Sequence, residues 1–478
     1  MESKQVSKKY RWYILVVVGM FTFMSTLDGS IVNIALPTLS HDLSVTTNQS
    51  EWVVSIYLMA VCSFLLLFGK ISDSYGKVKI FKIGAFIFII GSFLCGIANT
   101  LPLLLLARVV QAIGASMTMA TNNGIITEAF PLSERGRALG MIGSFVSLGA
   151  IAGPGIGGVI LSHFHWSYIF WINVPIGLLT ILIGWRLLPK SQIVKKRADI
   201  DFFGFILFSL FISLFFGAIF IGQEKGFNQP SIIISVIISI CALIGFIFWE
   251  KRHSNPLIQL KLFKNTTFTI SLICAVFIFI TNFFSNVILP FYLQNIRGMD
   301  PKTAGFLMMV FPLIMVIGAP ISGYLTDKTG PYVITLAGLF IVAASQFCFI
   351  FLTPSSPIPA FIAIMGLVGV GNAMFTAPNN TIIMSSVDNS DLGIAGSLNA
   401  LARNLGMVLG ISLSTTILYQ SMSLKAGKKI LTITSRNSEV FTFGMHITYF
   451  FSFIFCMVAL GLTSYRFIRG RQINLENK

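Results

Sequence analysis

Acidic residues are scarce: the 478-residue chain holds 17 Asp and Glu against 33 Lys and Arg, and charge of both signs makes up only 10% of it. Soluble domains carry roughly 25% charged residues, and a mean hydropathy of +0.83 leaves more apolar surface than a soluble fold can hide. A phosphate-binding loop is also missing. Gly76 and Lys77 are followed by Val78, and no glycine stands at the required spacing upstream, so direct use of ATP is not expected. Nucleophile-elbow and metalloprotease patterns are absent, which argues against a membrane enzyme. The six cysteines, Cys62, Cys95, Cys241, Cys274, Cys348 and Cys456, fall in apolar runs with no close pair. They imply neither a disulfide framework nor a zinc site. His163 and His165 form a His-x-His that reads as an ordinary polar loop ahead of a metal site, and no metal is expected. No small-residue cleavage site follows the short N-terminal tail, so the first apolar run reads as an uncleaved span.

What the chain does have is a long series of apolar runs of about 20 residues, each able to cross a ~30 Å hydrocarbon core as a helix. Fourteen are expected, from Tyr13–Leu36 through an eighth at Ile232–Phe248 to a last at His446–Tyr465. An even count puts both termini on one side. Most of the basic residues lie in the tails and loops of that side, which the excess of Lys and Arg in cytoplasmic loops makes the cytoplasmic one. The net charge of +16 is dispersed over short loops. It therefore reads as topology and attraction to anionic lipid, with no nucleic-acid partner.

The chain repeats itself. Gly69–Gly76 (GKISDSYG), just after the second span, recurs as Gly323–Gly330 (GYLTDKTG), just after the tenth. The offset of 254 residues aligns spans one to six with nine to fourteen. The expected organisation is an all-α membrane protein: an N-terminal six-helix bundle (1–190), two intervening helices (191–265) and a C-terminal six-helix bundle (266–478). Two parallel halves around one site suit alternating access.

Five segments stand in the order and spacing of the major facilitator superfamily: Leu27–Pro37 (LDGSIVNIALP), Gly69–Lys79 (GKISDSYGKVK), Arg108–Ser116 (RVVQAIGAS), Gly149–Gly158 (GAIAGPGIGG) and Trp166–Gly177 (WSYIFWINVPIG). Together they resemble its fourteen-helix drug:proton antiporter family, over the whole chain. There are departures: Ser74 and Lys77 stand where that family usually has Arg, Ala112 where it has Gly, and Ser167 follows Trp166 in place of Arg. The resemblance implies the major facilitator fold, and antiport that exports amphiphilic small molecules such as drugs, antiseptics and dyes. It implies a proton gradient as the energy source with no bound cofactor, a monomer in a prokaryotic cell membrane, and membrane lipids as neighbours.

The residues carry their own reading. Asp28 is the one acid expected within the apolar part of a span, where an unpaired carboxylate costs several kcal/mol. It is either a proton carrier or a structural acid satisfied by Ser25, Thr26 or Ser30. Arg108, in the fourth span, falls at similar depth and is the expected proton-coupling partner. With Arg403 this makes one acid and two bases in the membrane, which favours neutral, zwitterionic or monovalent substrates. Polar residues in spans face cavities or bond neighbouring helices; Tyr57, Asn282, Asn286, Asn399 and Arg403 are the candidates for substrate contact. Gating is assigned to the repeated turns (Gly69, Asp73, Gly76, Lys77 and Asp327) and to Gly149, Gly153 and Gly157. These last three repeat every fourth residue along one helix face beside Pro154, which either bends the helix at a moving seam or is a structural kink.

Overall fold

The computed structural model describes residues 8–45, 47–188, 200–388, 392–428, 430 and 438–476. Among them every regular element is helical, because lipid offers an open sheet edge no hydrogen-bond partner. Fourteen helices are long and apolar enough to cross a bilayer. The first six are α1 (Tyr10–Leu36), α2 (Trp52–Tyr75), α3 (Lys77–Gly96), α4 (Leu101–Ala129), α5 (Arg137–His163) and α6 (Tyr168–Leu187). Next come α7 (Phe202–Gly222), α8 (Pro230–Arg252), α9 (Thr266–Ile296) and α10 (Lys302–Thr326). The last four are α11 (Pro331–Phe349), α12 (Ile358–Ser385), α13 (Ile394–Ala426) and α14 (Ser438–Ile468).

The helices run past most of the ends expected from sequence, and two of those extensions change the account. α8 continues past Phe248 to Arg252 and α14 past Tyr465 to Ile468, so Glu250 and Arg466 are buried span residues, 3% exposed each. A run of hydropathy stops at the first charges, but the helix continues for as long as its side chains find neighbours. The count of one acid and two bases within the spans is thereby too low.

Local chemistry sets the helix starts and stops. Asp201 accepts from the Gly204 N–H at the start of α7, and Asn265 accepts from the N–H groups of Thr267 and Phe268 at the start of α9. Both satisfy donors that a first helical turn leaves free. The repeated turns end on Gly76 (φ 94°) and Gly330 (φ 82°), which accounts for the second glycine of each copy. Gly76→Ala should cost about 1–3 kcal/mol, since only glycine is at ease in that region, and should lower the unfolding temperature of the purified protein. An unchanged temperature would show that the turn relaxes freely.

The chain divides into two compact units, Met1–Lys261 with Val387–Leu401, and Leu262–Ser386 with Ala402–Lys478. Helices α7 and α8 pair with each other and α7 packs on α2, so both group with the first unit. Within the first unit α3 packs on α4 and α6, and α4 on α2; within the second, α11 packs on α12 and α14, and α12 on α10. The same scheme, shifted by eight helices, is the three-dimensional form of the 254-residue repeat. The glycine stripes match as well. Gly149, Gly153 and Gly157 of α5 lie against Phe23, Ser30 and Ile31 of α1, while Gly406 and Gly410 of α13 lie against Phe279 and Phe283 of α9. A methyl group at any of these would collide with the facing helix, so the stripes let the helix axes approach closely. The side chains of Pro154 and Asp327 lie outside the described residues.

Candidate functional site

The deepest polar cluster of the first unit is built by five helices. Asp28 (α1) and Arg108 (α4) are fully buried, and Arg108 Nη1 donates to Asp28 Oδ2 at 2.7 Å. The other carboxylate oxygen accepts from Gln111 Nε2 (α4) at 2.9 Å and from Asn173 Nδ2 (α6) at 2.7 Å. Arg108 Nε donates to the Val53 carbonyl of α2 at 3.0 Å. Its guanidinium carbon stands 4.3 Å from the centre of the Tyr57 ring and 5.4 Å from that of Phe170, a cation–π arrangement that screens the charge from lipid. Gln111 also donates to Ser92 of α3 at 2.7 Å.

Helix geometry explains the assembly: Gln111 is three residues beyond Arg108 and so shares its face. The similar depth inferred for Asp28 and Arg108 is direct contact. The alternative satisfiers of Asp28 are not used: Ser25 and Thr26 donate to the Thr22 carbonyl, and Ser30 to the carbonyls of Leu27 and Gly149. With both oxygens of the carboxylate accepting from donors, the ion pair is of the kind a low-dielectric interior tolerates. Three groups stay unsatisfied, Arg108 Nη2, the Tyr57 hydroxyl and Asn173 Oδ1, so the cluster has spare capacity for a new partner.

Gln111, Asn173 and Ser92 were not singled out by sequence, although two of them fall inside quoted motifs. The usable signal was a polar residue one turn from a buried arginine.

The turn after α2 forms a second ionic group. Lys77 Nζ sits 3.2 Å from Asp73 and 2.7 Å from Glu128 at the end of α4, and the lysine stem lies across Gly124. Gly69, one helical turn before Asp73, lies against Ser397 in the segment that groups with this unit. Lys77, assigned with Asp73 to gating, is thus the cation that meets it, and it ties the ends of α2 and α4 together.

In the second unit the 254-residue offset carries Asp28 to Asn282. Asn282 donates to Asn372 of α12 at 2.7 Å, Asn372 donates to the Val368 carbonyl, and Asn286 donates to the Asn282 carbonyl. The repeat thus keeps a polar bridge between equivalent helices but replaces the ion pair with amides. Arg403 is half-buried on α13, and Asn399 lies in the part of α13 that groups with the first unit. Asn399 and Arg403 therefore fall in different units, Arg403 in the one that holds Asn282 and Asn286.

A further acid lies just ahead of α2. Glu51 is 9% exposed with Oε2 unpartnered, and burial pushes its carboxyl up to about 7 from 4.5. A raised acid pKa costs nothing below the unfolded value, costs progressively more as pH rises from 4.5 to 7, and stays at its maximum above that. Glu51→Gln should therefore raise the unfolding temperature at pH 8 and leave it unchanged at pH 4.5. A stabilisation independent of pH would contradict this burial.

The chain matches the sequence profile of the Major Facilitator Superfamily over residues 18–411 and 271–471. The chain belongs to the major facilitator superfamily. A riboflavin transporter of Clostridioides difficile (strain 630) is 36% identical over 458 residues, 95% of this chain and 97% of the relative. The multidrug export protein EmrB of Haemophilus influenzae is 30% identical, covering 85% and 80%, and the multidrug resistance protein Stp of Mycobacterium tuberculosis (strain CDC 1551 / Oshkosh) 28%, covering 86% and 76%. Among solved structures, a bacterial homologue of the human lysosomal transporter spinster superposes with a TM-score of 0.62 at 17% identity, over 96% of this chain and 97% of that one. At that identity the likeness speaks for the fold. This major facilitator protein is therefore a membrane transporter, with fourteen apolar helices among its described residues.

Proposed function

We propose that this transporter is a proton-driven antiporter that exports amphiphilic small molecules, with Asp28 as the proton-carrying group. The observation that carries the reading is a fully buried carboxylate whose charge is matched by one arginine and two amides. Protonation of Asp28 removes the ion pair. Arg108 then keeps Val53 and Gln111 as partners and has free donors for another acceptor, so the proton changes how α1, α4 and α6 are held together. The two halves alternate in exposing the site to each side of the membrane, and the α5 stripe against α1 lets those two helices slide within the first bundle. Lys77, Asp73 and Glu128 hold one of the two states. Tyr57, Asn282, Asn286, Asn399 and Arg403 contact the substrate. The termini are cytoplasmic, the protein acts as a monomer in the cell membrane, and no cofactor is used beyond the proton gradient.

A second reading is transport of an endogenous metabolite, favoured by the 36% identity over almost the whole length to a riboflavin transporter. Ethidium and riboflavin serve as probes for the two. In proteoliposomes with an imposed pH gradient, the drug reading expects proton-driven movement of ethidium and the metabolite reading of riboflavin. Movement of both compounds at rates indifferent to the gradient would refute proton coupling in either form.

A further inference from the structure

At one end of the second unit, where α9 and α11 begin and α12 and α14 finish, a cation is buried with no anion against it among the described residues. Arg466 of α14 is 3% exposed. Its Nη1 donates to Ser271 of α9 and to Asn379 of α12, and its guanidinium carbon lies 5.6 Å from the centre of the Tyr332 ring of α11. These partners are neutral, and no carboxylate among the described residues forms a salt bridge with it. Nε and Nη2 are buried with no hydrogen-bond partner. These two nitrogens share one edge of the planar guanidinium, the edge that offers two parallel N–H groups to a pair of oxygens.

We propose that Arg466 binds a phosphate-bearing anion through this open edge, and that the source is the headgroup of an anionic phospholipid in the adjoining leaflet. A permanently charged side chain at membrane depth needs a counter-charge, and the described residues supply none in contact with it. Geometry selects an oxyanion because a fork of two parallel donors fits two oxygens of one group. The surroundings select lipid over a free ion. Tyr332, whose ring lies against the guanidinium, is itself 36% exposed, and Val333 next to it in sequence, Ile273 two residues beyond Ser271, and Tyr465 and Ile468 flanking Arg466 are exposed apolar side chains suited to acyl chains. The site therefore lies one aromatic ring from an apolar surface. Neither the Asp28 cluster nor the proton-coupled reading enters the argument.

The test uses the full-length protein purified in detergent and presented with an equimolar mixture of phosphatidylglycerol and phosphatidylcholine. Native mass spectrometry should find phosphatidylglycerol retained, with Arg466→Gln lowering its retention roughly fivefold, the loss expected for one basic side chain near an anionic surface. Arg466→Lys should keep part of it. Ser271→Asp places a carboxylate against Nη1 as an internal counter-ion, so that variant should fold, bind little phosphatidylglycerol and lose the rise in unfolding temperature that this lipid gives the wild type. It keeps the proposal testable if Arg466→Gln does not fold. Wild-type retention of phosphatidylglycerol in both Arg466→Gln and Ser271→Asp would overturn the site. Displacement of the lipid by millimolar inorganic phosphate would overturn the lipid source.

Discussion

Asp28→Asn is expected to abolish pH-driven transport while leaving a folded, inserted protein. An amide cannot take up and release a proton in the working pH range, so a cycle coupled through this position has nothing to carry. The fold should survive because the cluster can adapt. The asparagine oxygen keeps Arg108 as its donor, and its NH2 group meets Asn173, whose amide can turn to present its oxygen, while Gln111 keeps its Oε1 on Arg108 and its Nε2 on Ser92. Asn173 Oδ1 has no partner in the wild type, so that rotation exchanges the bond from Asn173 Nδ2 for one to its Oδ1 at no net loss. Downhill movement of substrate without a gradient should persist to some degree, since binding residues are untouched. Proteoliposomes of the variant that still accumulate ethidium or riboflavin in response to pH would remove Asp28 from the coupling.

Arg108→Ala should have the largest effect on stability. It leaves the fully buried Asp28 without its cation, and breaking a buried pair from one side costs about 3–5 kcal/mol. It also frees the Val53 carbonyl and removes the charge that stacks on Tyr57 and Phe170. Because the penalty comes from the abandoned carboxylate, adding Asp28→Asn to Arg108→Ala should recover part of it. Unfolding temperatures of the wild type, both single variants and the double variant form the thermodynamic cycle. Strict additivity would mean that the 2.7 Å contact contributes no coupling.

Much of the fold was legible because lipid simplifies the code: a spanning segment must be helical and apolar along about 20 residues, which hydropathy alone detects. Its ends were less legible. Glu250 accepts from the Ile258 N–H at 2.8 Å, and Arg466 is buried by α9, α11 and α12. Neither partnership is visible in a local stretch of sequence. Asp28 and Arg108 stood out because a lone charge in an apolar run demands an explanation. Gln111, Asn173 and Ser92 did not, because uncharged polar residues are common in spans and only the meeting of helix faces gives them a shared partner. The same reasoning applies to the asparagines of α9 and α12. Their composition suggested a substrate site, and their hydrogen bonds hold helix to helix at least as much. Glycine stripes were legible in α5, where three stand in register, and were overlooked in α13, where Gly406 and Gly410 are only two.

The proton itself is the most direct test of the account. Wild-type protein in liposomes loaded with a pH-sensitive dye, with no initial gradient, is given ethidium or riboflavin on the outside. Antiport predicts that entry of the transported compound drives protons out, so the lumen turns alkaline in wild type and stays unchanged with Asp28→Asn. Substrate entry into wild-type liposomes with no change of lumenal pH, or the same alkalinisation in the variant, would contradict it.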